Sequence, residues 1–153
     1  MTEIHHSTKK SKGENECRRI LEARYKCQFR SIRPNWLPSP HLTKKGKRRK
    51  LEIDCYNPMK PGLAYNDPSP IGLGVEYDGI QHREPGHFNM TDEDFALAKE
   101  RDDHKDDLCA KLGITLIRIT DEIKLDQIES HLTKLLDEYD RAQRKKNRFC
   151  IIC

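Results

Sequence analysis

Glu76 stands in the middle of an apolar run, and that placement limits what the chain can become. Residues 71–82 read Ile-Gly-Leu-Gly-Val-Glu-Tyr-Asp-Gly-Ile-Gln-His. The run stops at Asp78-Gly79, a strong turn signal. With the two-residue period of a strand, Leu73, Val75 and Tyr77 project one way and Gly74, Glu76 and Asp78 the other. A carboxylate in a buried strand is costly unless something pairs with it, and a metal ion is one such partner. Gln81 and His82 add an amide and an imidazole at the same end of the strand.

A second acid is available nearby. Residues 51–56, Leu-Glu-Ile-Asp-Cys-Tyr, alternate, with Leu51, Ile53 and Cys55 on one face and Glu52, Asp54 and Tyr56 on the other. Asn57-Pro58 closes this strand, and a Pro- and Gly-containing loop over 59–70 leads to the next. Sequential strands usually pair, so the two are expected as antiparallel neighbours with Asp54 and Glu76 on one face.

Residues 91–112 predict a long helix with Thr91 as N-cap and Gly113 as its stop. Its stripe Phe95, Ala98, Asp102, Lys105, Cys109, Leu112 is apolar at both ends and charged at the centre. Such an interruption reads as functional support, as an Asp102–Lys105 pair, or as the edge of the stripe. Residues 114–119, Ile-Thr-Leu-Ile-Arg-Ile, predict a strand parallel to 71–77 through this helical crossover.

Residues 13–26 predict a helix with Cys17, Ile20, Leu21 and Tyr25 facing the core and Ser11 and Glu14 resembling a capping box. Its acids Glu14 and Glu16 are attributed to the helix dipole. Residues 27–33 predict a short strand ended by Pro34, and 122–142 a closing helix. The expected layout is a disordered basic arm over 1–12, one domain over 13–142, and a basic, cysteine-containing tail over 143–153.

Charge divides the chain. Residues 1–50 carry 15 Lys and Arg against 4 Asp and Glu, net +11, whereas residues 51–153 carry 14 against 21, net −7. That asymmetry suggests one part holding a polyanion and another performing metal chemistry. The basic part peaks in a loop bearing Trp36 and the run Lys44, Lys45, Lys47, Arg48, Arg49 and Lys50. Cations neutralise phosphates and an aromatic stacks on a base. A localisation-like segment and a hairpin tip are the other readings of this run. No apolar stretch approaches the ~20 residues of a membrane-spanning helix, and the start shows no signal-peptide pattern. The expected setting is intracellular, with the six cysteines reduced.

The order helix, three strands, helix, strand, helix, with acids at Asp54 and Glu76, resembles the PD-(D/E)XK, or restriction-endonuclease-like, superfamily. Within it the small very-short-patch-repair-like branch is most similar. The similarity rests on Gly13-Glu14, Leu-Glu-Ile-Asp-Cys-Tyr at 51–56, Gly-Val-Glu-Tyr-Asp-Gly-Ile-Gln-His at 74–82, Arg101-Asp102 with Lys105, and Leu-Gly-Ile-Thr-Leu-Ile-Arg-Ile at 112–119. It implies an α/β fold with a mixed sheet of about four strands flanked by helices, and metal-dependent hydrolysis of phosphodiester bonds, with DNA as substrate and RNA still open. Asp54 and Glu76 would coordinate Mg²⁺, or Mn²⁺ in its place, with Asp78 a further candidate ligand. Gln81 and His82 would assist at the water or phosphate, with Asp102 and Lys105 in support. Cutting both strands would favour a homodimer. The family pattern expects Lys two residues after the second acid, where this chain has Asp78, so Gln81 or Lys105 would supply the positive charge. The alternative on the same fold is a nucleic-acid-binding module with weak or no catalysis.

Overall fold

The computed structural model describes residues 11–80, 84–87 and 89–150, with side chains to residue 147. Ser11 Oγ accepts the Glu14 N–H at 3.1 Å and starts helix α1, Lys12–Tyr25, which ends on Lys26 in the left-handed conformation. Strand β1 is confined to Arg30–Ile32 rather than 27–33. Residues 27–29 are spent reversing the chain after Lys26, and the Glu22 carboxylate accepts the Phe29 N–H at 2.9 Å.

Of the readings of the basic run, the structure shows the hairpin. Strands β2, Pro38–Leu42, and β3, Arg48–Lys50, pair antiparallel as a separate two-stranded sheet. Pro38 and Pro40 sit two apart, so both ring nitrogens lie on the same edge of β2, which a strand in a two-stranded sheet has to spare. The turn closes through Thr43 N–H to Lys47 O at 2.7 Å.

Strand β4 is Ile53–Asn57 and strand β5 Leu73–Asp78. They pair antiparallel, with Cys55 opposite Val75. Helix α2, Asp92–Leu112, starts with a complete Thr91–Asp94 capping box and stops at left-handed Gly113. A side chain at Gly113 would sit 3.0 Å from the Pro70 carbonyl, so the stop needs glycine for space as well as for conformation. Strand β6, Thr115–Thr120, then pairs parallel to β5, giving a mixed sheet in the order β1-β4-β5-β6. A 3-10 turn at Leu125–Gln127 leads into α3, Ile128–Cys150. The closing helix therefore starts later than expected and continues through most of the expected tail. The chain has no Gly or Pro after Gly113, so nothing stops the helix at 142.

The architecture is α/β. Helices α1 and α3 cover one sheet face around Cys17, Leu21, Val75, Ile119, Leu132 and Leu136. On the other face Ile32, Leu37, Ile53, Tyr56, Cys109 and Ile114 form a second core under α2. Each fully buried aliphatic side chain contributes roughly 1.5–3 kcal/mol, so both faces are anchored.

One irregularity positions the site. In the β1–β4 pairing Arg30 faces Tyr56 but Ile32 faces Ile53, so β4 takes three steps where β1 takes two. The extra residue is a β-bulge, and it breaks the alternation expected for 51–56. Ile53 joins Tyr56 in the second core while Cys55 lies in the first, so Ile53 and Cys55 do not share a face.

Among the described residues no helix is long and apolar enough to cross a membrane. Cys17, Cys27, Cys55 and Cys109 are free.

Candidate active site

Asp54 sits at the bulge. The recorded β4–β5 pairing ends at Cys55–Val75, and there the Asp54 Oδ2 accepts the Tyr77 backbone N–H at 3.1 Å. Its own carbonyl accepts Arg18 Nη2 at 2.6 Å and Ser31 Oγ at 2.9 Å. Arg18 therefore clamps the bulge, and it also donates to Glu14 Oε2 at 3.1 Å and to the Phe29 carbonyl at 3.0 Å. One guanidinium joins α1, β1 and β4. Burial pushes the Asp54 carboxyl up to about 6, against the Tyr77 N–H, which lowers it.

Around Asp54 the fold gathers Glu14 and Glu52, with one oxygen from each of the three within 4.8 Å of the others. Glu14 reaches the cluster because α1 lies very close to β5. A side chain at Gly13 would fall 2.1 Å from the Tyr77 ring. Glu52 is held by Arg33 Nη2 at 2.7 Å.

Glu76, 4% exposed, anchors a second group of charges. Its Oε1 accepts Lys105 Nζ at 2.7 Å from α2, and its Oε2 lies 3.4 Å from Arg118 Nη1 on β6. Burial raises the Glu76 carboxyl to about 7; Lys105 pulls it down and the Asp54 charge pushes it further up. Asp78 Oδ2 lies 3.0 Å from Arg118 Nη1, and Asp106 Oδ1 2.9 Å from Arg118 Nη2.

The sequence candidates are thus divided. Asp54 joins the carboxylate triplet, and Glu76 and Lys105 meet directly. Asp78 lies on Arg118 and outside that triplet. Asp102 offers Arg118 its backbone carbonyl at 3.4 Å, with its carboxylate 3.9 Å away, so Lys105 pairs with Glu76 rather than with Asp102. Gln81 and His82 lie outside the described residues. Lys44, Lys45, Lys47, Arg48, Arg49 and Lys50 are all exposed on the hairpin. Trp36 is half-buried against Tyr56, ring centroids 6.1 Å apart.

Three viral proteins are similar over most of the chain. Uncharacterized protein 033L of Invertebrate iridescent virus 3 is 38% identical over 122 residues, covering 79% of this chain and 55% of its own length. Uncharacterized protein 307L of Invertebrate iridescent virus 6 is 32% identical, covering 76% and 59%. Uncharacterized protein 094L of Frog virus 3 (isolate Goorha) is 33% identical over 131 residues, covering 82% of this chain and 71% of its own length. This chain belongs to the 094L family. It spans less than two thirds of the two invertebrate iridescent virus proteins. No family model matches it, and no solved structure does.

For this member of the 094L family, sequence reasoning missed Glu14, Glu52, Arg18 and Arg118 as site residues. Two of the signals were readable. Glu14, Cys17, Arg18 and Leu21 fall at helical spacing on the core-facing stripe of α1, so Glu14 is no mere dipole acid. Arg118 interrupts Leu116, Ile117 and Ile119 just as Glu76 interrupts its own strand.

Proposed function

We propose that this chain is a metal-dependent endonuclease that hydrolyses phosphodiester bonds of DNA, on a restriction-endonuclease-like core. The observation that carries the reading is the convergence of Glu14, Glu52 and Asp54 oxygens within 4.8 Å, beside the buried Glu76–Lys105 pair. Hard oxygen donors are what Mg²⁺ and Mn²⁺ take. Oxygens on one octahedral Mg²⁺ would stand about 3 Å apart when adjacent and about 4.2 Å apart when opposite, so the three carboxylates would draw together on a bound cation. Asp54 and Glu76 would be the principal ligands, with Glu14 and Glu52 completing the donor set. A bound divalent cation supplies an activated water and neutralises charge on the phosphate.

The chain's own residues do the rest. Arg18 fixes the bulge that aims Asp54. Lys105 provides the cation that the superfamily pattern places two residues after the second acid, where Asp78 stands here. It is buried against Glu76, where it would stabilise charge developing on a phosphate oxygen. The exposed cations of the β2–β3 hairpin neutralise substrate backbone. The protein acts inside the cell, and cutting of both strands would use two copies.

A second reading has its own observation: Lys105 and Arg118 already engage both oxygens of Glu76, as in a self-contained ion-pair network. That arrangement favours a nucleic-acid-binding module without chemistry. Incubation of DNA and RNA substrates with Mg²⁺ or Mn²⁺, comparing wild type with Glu76→Ala, separates the two. Metal-dependent cutting lost in the variant supports the nuclease. Salt-sensitive binding without cutting supports the module.

A further inference from the structure

We propose that the cleft between the β2–β3 hairpin and α2 is a seat for one backbone phosphate of the nucleic acid, a site distinct from the acid cluster. The ligand class rests on the nucleic-acid reading above. The cleft, about 360 Å³, is lined by Arg33, His41, Thr43, Arg49, Lys50 and Arg101, among others. That is near the small end of ligand pockets, which run from about 300 to 1,000 Å³.

The charges in this cleft are unbalanced. Among the described residues Arg33 pairs with Glu52 at 2.7 Å and His41 with Glu100 at 2.8 Å. No carboxylate of the described residues lies within ion-pair distance of Arg49, Lys50 or Arg101. Three cations converging on one concavity without counter-charge repel one another, and an anion relieves that repulsion. Arginine forks also match phosphate oxygens in pairs. The cleft differs in this respect from the hairpin tip, where Lys44, Lys45 and Lys47 stand exposed around the turn.

The position relative to the acids gives the seat its use. Arg33 donates to the Lys50 carbonyl at 3.4 Å in the cleft and forms an ion pair with Glu52 of the acid cluster. Arg101 lies one helical turn before Lys105 on α2. A phosphate in the cleft is therefore separated from the carboxylate triplet by one arginine side chain. The seat fixes the register of the strand as it crosses the acids, which loose lysines at a tip do not.

The test is binding of a dye-labelled DNA duplex to the full chain in EDTA, by anisotropy, over a series of KCl concentrations. Each lost phosphate contact lowers the steepness of the salt dependence by about 1. The double variant Arg49→Gln/Arg101→Gln removes the seat of that one phosphate, and is expected to lower it by about 1 and to weaken binding more than Lys44→Gln/Lys47→Gln does. All four side chains reach the surface, and a thermal melt checks that the fold is kept. Equal losses in the two double variants, or a wild-type slope in the cleft variant, would overturn the seat and leave the nuclease reading to the cleavage assay. Absence of salt-sensitive binding by the wild type would overturn both.

Discussion

Lys105 Nζ lies 2.7 Å from Glu76 Oε1, and both side chains are more than 90% buried. A lysine on the middle of a helix and a glutamate in the middle of a strand each break an apolar pattern, and each is the other's compensation. Breaking a buried pair by removing one partner leaves an uncompensated charge, which costs several kcal/mol. Lys105→Met is therefore expected to destabilise the metal-free protein by on the order of 3 kcal/mol near pH 8. Near pH 5 the loss should shrink, because Glu76 then takes up a proton. Urea unfolding at both pH values measures it, and an equal loss at each would refute the assignment.

The raised carboxyls give the metal-free protein a characteristic pH dependence. Glu76 moves from an ordinary 4.5 to about 7, and Asp54 from 3.8 to about 6. Between those limits the folded state holds protons that the unfolded state has released, so stability falls as pH rises. Above pH 7 the folded protein carries the full penalty, on the order of 3 kcal/mol for Glu76 alone. Melting temperatures in EDTA should decline from about pH 4.5 to 7, and Glu76→Gln should flatten much of that decline. A variant curve parallel to the wild type would count against a raised Glu76.

Gly13 permits close contact between α1 and Tyr77. A methyl group there would overlap the ring at 2.1–2.5 Å. Gly13→Ala is expected to cost about 1–3 kcal/mol by overpacking. In the double variant Gly13→Ala/Tyr77→Ala the two losses should fall short of additive, because the second change removes the clash created by the first. Strict additivity would mean that the two residues do not touch.

The carboxylate triplet is testable without any nuclease assay. Glu14→Gln, Glu52→Gln and Asp54→Asn are each expected to weaken Mn²⁺ binding about ten-fold or more. Glu16→Gln, whose carboxylate is held by Arg19 on the outer face of α1, should bind as wild type. Calorimetric titration decides this, and three variants indistinguishable from wild type would remove the triplet as a metal site.

The sheet was legible because period-two runs and short connections leave few choices, and the parallel β5–β6 pair follows from a helix between two apolar strands. The hairpin was only one reading among several, since Pro38 and Pro40 read as loop unless an edge strand is already in view. Glu14 went unrecognised because its position in a first helical turn already had a sufficient local explanation. Alternation also assigned Ile53 to the wrong face, since a bulge in β4 is invisible without the partner strand. The charges at Glu76 and Lys105 were visible as anomalies in their own patterns. Only the three-dimensional arrangement brings them to each other.

The bulge makes β4 a strand of odd count, out of phase with itself on either side of Asp54. Substitutions nearby alter packing by degrees. Removal of one residue between Ile53 and Tyr56 restores even count and turns the upstream half over. Ile53 would then leave its core, and the side chains of β4 on that side of the deletion would exchange faces. Which core each side chain of β4 enters is thus encoded as a parity, which tolerates exchange of letters but not a change in their number.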